Sequence, residues 1–295
     1  MRSASGLNFA NKGLIFANNQ YCLSGIFVLS NFKTKKMEIT NNTILITGGS
    51  SGIGLQFATQ LINLGNTVII TGRNQAKLDE IKKQLPKVHI FKSDVSDPLA
   101  IIELFKKVTM QFSTLNILIN NAGEMRNLNL LDTSITVENV NREIAINLSG
   151  PVWMVQQFLP HLLKQKTAAI VNVTSALAYV PFALSPVYSA TKSGLHAYTQ
   201  GLRIRLKKTS IKVFELLAPL TNTPLGDKFA GDFDSKMMME PDKVVAIAIK
   251  GLMKDKFEIL PGMSIMLKLI SRIAPKFILK QMGKVAEKSW ANEKL

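Results

Sequence analysis

From Thr43 onward, short apolar runs rich in β-branched residues alternate with amphipathic stretches, and this alternation constrains the fold more than any other feature of the chain. Residues 43–47, 67–71, 88–92, 115–119, 169–174 and 211–217 read as strands, and 257–260 as a last short one. Helical patterns fill the gaps: one runs through Leu64, one covers 76–85 and stops before Pro86, and a long one covers about 186–208. Strand–helix alternation of this kind builds βαβ units, hence a mostly parallel sheet with helices on both faces. The expected fold class is α/β, a Rossmann-type doubly wound parallel sheet in three layers, forming a single domain over residues 37–295. At 295 residues with 46% hydrophobic content, the chain can bury a sizeable core without a disulfide or metal staple.

Residues 1–36 stand apart. They carry Arg2, Lys12, Lys33, Lys35 and Lys36 and no acidic residue, and their apolar part, residues 21–32, is too short to span a bilayer. They read as a targeting segment or as a mis-assigned start preceding Met37. Cys22 is the only cysteine, which rules out an intramolecular disulfide and CxxC sites. His89, His161 and His196 lack metal-ligand spacing and read as surface or packing residues, so no metal site is expected. The net charge of +16 favours anionic partners. No aromatic-rich or helix-turn-helix signal directs that charge to nucleic acid, and no nucleic-acid partner is expected.

The turn after the first strand reads Thr47-Gly48-Gly49-Ser50-Ser51-Gly52-Ile53-Gly54. Between a strand and a helix, such a turn cradles a pyrophosphate. Gly48 permits the tight turn, Gly52 the close approach of backbone to phosphate, and Gly54 the packing of helix on strand, while Ser50, Ser51 and Ile53 bring polar groups and helix-start N–H groups to the anion. At the end of the second strand, where an acid would bind the ribose 2′-hydroxyl of NAD, the chain has Gly72 followed by Arg73. A guanidinium fork suits a 2′-phosphate. NADP(H) is therefore the expected cofactor, with NAD(H) as the alternative.

Tyr188 and Lys192 lie four apart in a helical pattern and so share a helix face. A free tyrosine has a pKa of about 10, and bringing it near neutrality takes about 4 kcal/mol. A cation about 4 Å away supplies a similar amount at an effective dielectric of about 20. The spacing thus predicts a tyrosine general acid/base with Lys192 lowering its pKa.

The GxxxGxG turn, Asn120-Asn121-Ala122-Gly123 after the fourth strand, Ser175 thirteen residues before Tyr188, and the Tyr188/Lys192 pair together resemble the short-chain dehydrogenase/reductase family. The resemblance covers residues 42–219 well and the remainder loosely, and within the family the chain is most similar to the DltE-like reductases. It implies a reversible hydride transfer between nicotinamide and a carbonyl or alcohol. On that resemblance Ser175 orients the substrate oxygen, Asn147 supports a proton relay to Lys192, and Tyr188 and Lys192 also touch the cofactor. Asp94 and Val95 border the adenine; Asn121, Ala122 and Gly123 border the nicotinamide ribose; and Pro219, Thr221 and Thr223 contact the cofactor from the loop after the sixth strand, where Leu220 departs from the family's glycine. A non-catalytic dinucleotide-sensing protein on the same fold is the alternative function.

Residues about 224–240 are expected to form a substrate lid, whose Met237–Met239 run suggests a hydrophobic substrate. In the variable segment 241–295, Lys268, Arg272, Lys276 and Lys280 recur every four residues among Leu, Ile, Met and Phe. This reads either as a helix packed on the body or as a peripheral membrane contact, with Pro275 breaking it. The small residues Ser189, Ala190, Ser193, Gly194 and Ala197, in a region through which the family often assembles, imply a homodimer or homotetramer. The expected setting is cytoplasmic, with membrane association through the basic segment as the alternative.

Overall fold

A computed structural model describes residues 36–127, 132, 134–226 and 238–293. The N-terminal extension, Cys22 included, and the middle of the expected lid, residues 227–237, lie outside the described residues.

Seven parallel strands form one sheet: β1 (Thr43–Thr47), β2 (Thr67–Gly72), β3 (His89–Lys92), β4 (Leu115–Asn120), β5 (Ala168–Ser175), β6 (Ile211–Ala218) and β7 (Glu258–Ile259). Their spatial order is β3-β2-β1-β4-β5-β6-β7. Every residue of β1, β5 and β6 is buried, which fits strands covered on both faces and explains their nearly unbroken apolar runs. The sequence placed all seven strands to within a residue or two at each end.

Helices α1 (Gly52–Asn63), α2 (Gln75–Gln84), α3 (Pro98–Gln111), α4 (Val137–Ile144), α5 (Gly150–Leu162), α6 (Pro186–Arg205) and α7 (Pro241–Met253) connect the strands. Three of their starts are marked by a capping side chain. Asn74 accepts from the Lys77 amide, Asp97 accepts from the Leu99 amide ahead of Pro98 at the first turn, and Thr136 and Asn139 form a reciprocal capping box. One face of the sheet packs through Ile46, Ile70, Val171 and Phe214 against Phe57 and Leu61 of α1, Leu78 of α2 and Val244 and Ala248 of α7. The other packs through Leu45, Leu118 and Ile170 against Leu104 and Val108 of α3 and Met154 and Phe158 of α5. Burying a side chain of this size contributes about 1.5–3 kcal/mol.

Between α4 and α5 the helix widens into a π-helical turn over Ala145–Ser149. After β7, the chain breaks at Ala274 into α8 (Ser264–Ile273) and α9 (Pro275–Glu293), as Pro275 dictates. The strand order reverses between β1 and β4, and the carboxyl ends of the strands on either side of that point frame the crevice where α/β sheets bind ligands.

Candidate active site

Thr47, the last residue of β1, sets the shape of the glycine turn. Its Oγ1 accepts hydrogen bonds from the Asn121 and Ala122 amides, both at 3.0 Å, and Asn121 Nδ2 donates to the Thr47 and Gly48 carbonyls at 3.0 and 3.1 Å. Gly48 has φ of +65°, a left-handed conformation that side chains disfavour. A Cβ at Gly54 would lie 2.3 Å from the Gly48 carbonyl oxygen and 2.4 Å from Asn121 Nδ2, so only glycine lets α1 begin this close to the strand. Asn121 thus ties the β4 loop to the cradle.

A cleft of about 240 Å³ opens above this turn. Gly48, Ser50, Ser51, Gly52 and Ile53 form its floor. Arg73, Asp94 and Val95 wall one end. Asn121, Ala122, Gly123, Tyr188 and Lys192 wall the other. Gly54 lies beneath the floor and acts by close packing. The bare backbone at Gly48 and Gly52, the first N–H groups of α1 and the guanidinium at one end form a donor set suited to a dinucleotide's phosphates. Arg73 is also held by Glu124, Nη1 to Oε2 at 3.5 Å, and the same carboxylate pairs with Arg126 and Arg142. Asp94 accepts from the Ser96 amide and hydroxyl, which fixes the loop after β3.

A second, apolar cavity of about 180 Å³ adjoins the cleft. Ser175, Leu177, Phe182, Leu225, Met263 and Met282 are among its walls. Tyr188 walls both spaces, together with Ile53, Ala218, Thr223 and Leu225. Pro219 and Thr221, expected at the cofactor, wall only the apolar cavity: the Thr221 hydroxyl turns back to the Pro219 carbonyl at 2.8 Å, and the chain reaches the cleft two residues later, at Thr223. The two ends of the expected lid are joined where Met239 N–H donates to Leu220 O and Asn222 N–H donates to Met239 O.

The four expected catalytic residues converge. Ser175 ends β5, and its Oγ accepts from the Leu177 amide at 3.2 Å. Asn147 sits in the π-helical turn, fully buried, accepting from the Glu124 amide at 2.9 Å and donating to the Glu124 carbonyl at 2.7 Å. A Cβ at Gly123 would be 3.4 Å from Asn147 Oδ1 and 3.7 Å from Lys192 Nζ, so both side chains reach the same backbone point. Lys192 Nζ donates to the Val173 carbonyl at 3.0 Å and lies 5.6 Å from the centre of the Tyr188 ring.

Burial dominates the electrostatics. It pushes the Tyr188 phenol up to about 12, with the Ser175 hydroxyl pulling it back and the Glu143 carboxylate pushing it further up. It pushes the Lys192 ammonium down to about 8, against Glu143, which raises it. In the protein by itself, burial thus outweighs the groups that favour phenolate. Both groups are buried, and burial penalises the charged form of each.

Glu143, fully buried on α4, was missed in the sequence. It precedes Asn147 by four residues in a helix, a spacing that places both on one face, and that was the signal available.

The model of the short chain dehydrogenase family matches residues 42–232. A relative from Bacillus subtilis, named "Uncharacterized oxidoreductase DltE", is 44% identical over 192 residues, covering 65% of this chain and 76% of the relative. Among solved structures, a short chain dehydrogenase/reductase from Burkholderia phymatum in complex with NAD superposes with a TM-score of 0.73 at 20% identity, covering 83% of this chain and 96% of that one. A short chain dehydrogenase from Burkholderia cenocepacia in complex with NADP gives the same TM-score and identity, covering 83% and 99%. Sequence, strand order and the glycine cradle agree: this chain belongs to the short chain dehydrogenase family of nicotinamide-dependent oxidoreductases.

Proposed function

We propose that the chain is an NADP(H)-dependent oxidoreductase interconverting a hydrophobic carbonyl compound and its alcohol. One observation carries this reading: Tyr188 stands in the wall common to the polar cleft and the apolar cavity, with Ser175 beside it. A phenol placed there meets a substrate oxygen from one space and the cofactor from the other.

When bound, the dinucleotide supplies or accepts the hydride and, in its oxidised form, adds a positive ring to the site. The chain's residues do the rest. Tyr188 gives the oxygen its proton in reduction and takes it in oxidation. The Ser175 hydroxyl donates to the same oxygen and stabilises the charge that develops on it. Lys192 provides the buried cation that favours phenolate, and Asn147 holds the Glu124 backbone beside it. Arg73, next to Gly72, supports NADP(H) over NAD(H), because β2 ends in Gly72 and a guanidinium follows it, where an acid would bind the ribose 2′-hydroxyl of NAD. The methionines and leucines of the second cavity support an apolar substrate. The exposed residues Ala190, Ser193 and Ala197 on α6 support a homodimer or homotetramer.

The test is a screen of aldehydes, ketones and alcohols followed by NADPH absorbance, repeated with Tyr188→Phe. Turnover of an apolar carbonyl is expected, with a loss on the order of a thousandfold in the variant while NADPH binding persists. A variant that retains near-normal rates on the same substrate overturns the mechanism.

A further inference from the structure

Helices α8 and α9 have two working faces. Inward, Met263 just before α8, Leu267 and Met282 wall the apolar cavity, and Ala286 is fully buried in a cluster with Tyr188. Outward, Ile265, Leu269 and Ile273 follow one another at four-residue spacing along α8 and are 61%, 55% and 74% exposed. Met266, Phe277 and Leu279 continue this apolar surface and are also exposed. Isolated exposed hydrophobics are ordinary, but six on two consecutive helices mark an interaction surface.

The charge around this surface selects its partner. Residues 264–293 contain six basic and two acidic residues. Of the six, Lys268 pairs with Glu258, while Arg272, Lys276, Lys280, Lys284 and Lys288 are exposed. A second copy meeting this face across a two-fold axis would set lysines against lysines. An anionic bilayer offers acyl chains to the stripe and phosphates to its cationic border. No helix among the described residues is long and apolar enough to cross a membrane, so the contact is one that lies in the interface.

We infer that the outer face of α8 and α9 is a docking surface for anionic phospholipid bilayers, holding the wall of the apolar cavity against the membrane. The docking rests on exposure and charge, and stands apart from the reaction proposed above.

The test uses the full chain, floated through a sucrose gradient with vesicles of phosphatidylcholine alone or of phosphatidylcholine mixed with phosphatidylglycerol. Two variants are run beside it, Leu269→Glu with Ile273→Glu, and Lys276→Glu with Lys280→Glu. All four positions are exposed and outside the catalytic machinery, and circular dichroism checks that both variants melt as the parent does. The parent chain is expected to rise with the mixed vesicles only, and each variant to bind them roughly tenfold less or weaker still. Three results overturn the inference. The parent does not float. The variants float as well as the parent, which would place binding elsewhere, such as the basic residues before Met37. Or the parent sediments as a dimer that the Leu269/Ile273 variant turns into a monomer, which would make a second copy the occupant.

Discussion

The two spaces that meet at Tyr188 are built by different means. The dinucleotide cleft is made largely of backbone: glycines at fixed offsets, N–H groups at the start of α1, and a threonine and an asparagine that lock the turn. The apolar cavity is made of side chains drawn from β5, the loop after β6 and the two C-terminal helices. Backbone geometry imposes residue identity, because only glycine fits where a Cβ would strike a carbonyl. Side-chain walls impose only bulk and polarity, which many residues satisfy. The first space therefore specifies its ligand's class, and the second can diverge while the fold persists.

The sharpest way to break this contrast is at Gly54. Gly54→Val puts atoms where the Gly48 carbonyl and Asn121 Nδ2 already are, so NADPH affinity is expected to fall at least about a hundredfold, at a stability cost of about 1–3 kcal/mol. Isothermal titration with a thermal melt would read both, and an unchanged affinity would show that the cradle tolerates side chains after all. Cofactor choice is next. Arg73→Ala is expected to weaken NADPH about tenfold or more while leaving NADH nearly unchanged, the loss of a charge-assisted contact being about 1.5–3 kcal/mol. At Gly72 a Cβ would meet Leu78 and Ser50 at no less than 3.5 Å, so Gly72→Asp should be accommodated and tilt the ratio further toward NADH. Equal NADPH and NADH affinities in the parent chain would count against the role given to Arg73.

On the other side of Tyr188, Met282→Ala enlarges the apolar cavity without touching the cleft. It is expected to alter kcat/KM between carbonyl substrates of different bulk about tenfold, with the Kd for NADPH unchanged. A parallel change in cofactor affinity would mean that the two spaces are not separable. The smallest effect is expected at Glu143, whose carboxylate holds both Lys192 and Tyr188 at higher pKa than they would otherwise have. Glu143→Gln removes that upward push, so the ammonium should discharge at a lower pH and the phenol should ionise at a lower pH. The alkaline limb of the pH–rate profile should accordingly move toward acid. A limb that moves toward alkali, or stays fixed, would separate Glu143 from the pair.

The same division decides what could be read from the chain alone. β1 and its turn were legible because Thr43–Thr47 is β-branched and apolar and the glycines that follow sit where the backbone needs them. The convergence of Ser175, Tyr188 and Lys192 was legible through spacing and resemblance. Their protonation energetics were not, because four-residue spacing says that Tyr188 and Lys192 share a face and nothing about how deeply both are buried. Nor does it show that Lys192 spends a hydrogen bond on Val173. The side to which Thr221 turns was not legible: the turn through Pro219 and Leu220, where Leu220 departs from the family's glycine, puts it in the wall of the apolar cavity. The π-helical turn at Asn147 carries no compositional mark at all, since Ala-Ile-Asn-Leu-Ser suits an ordinary helix equally well.

That widened turn has a consequence for how this chain can change. Each residue advances an α-helix by about 100°, and a π-helical turn holds one residue more than an α-turn. The turn over Ala145–Ser149 therefore absorbs a surplus position locally, while α5 beyond it keeps Met154, Val155, Phe158 and Leu162 seated against the sheet. Deleting one position there would let the segment wind as an ordinary helix with those core residues still near their places. The change would fall on Asn147 and its bonds to the Glu124 backbone, so the site would feel a length change that the core tolerates.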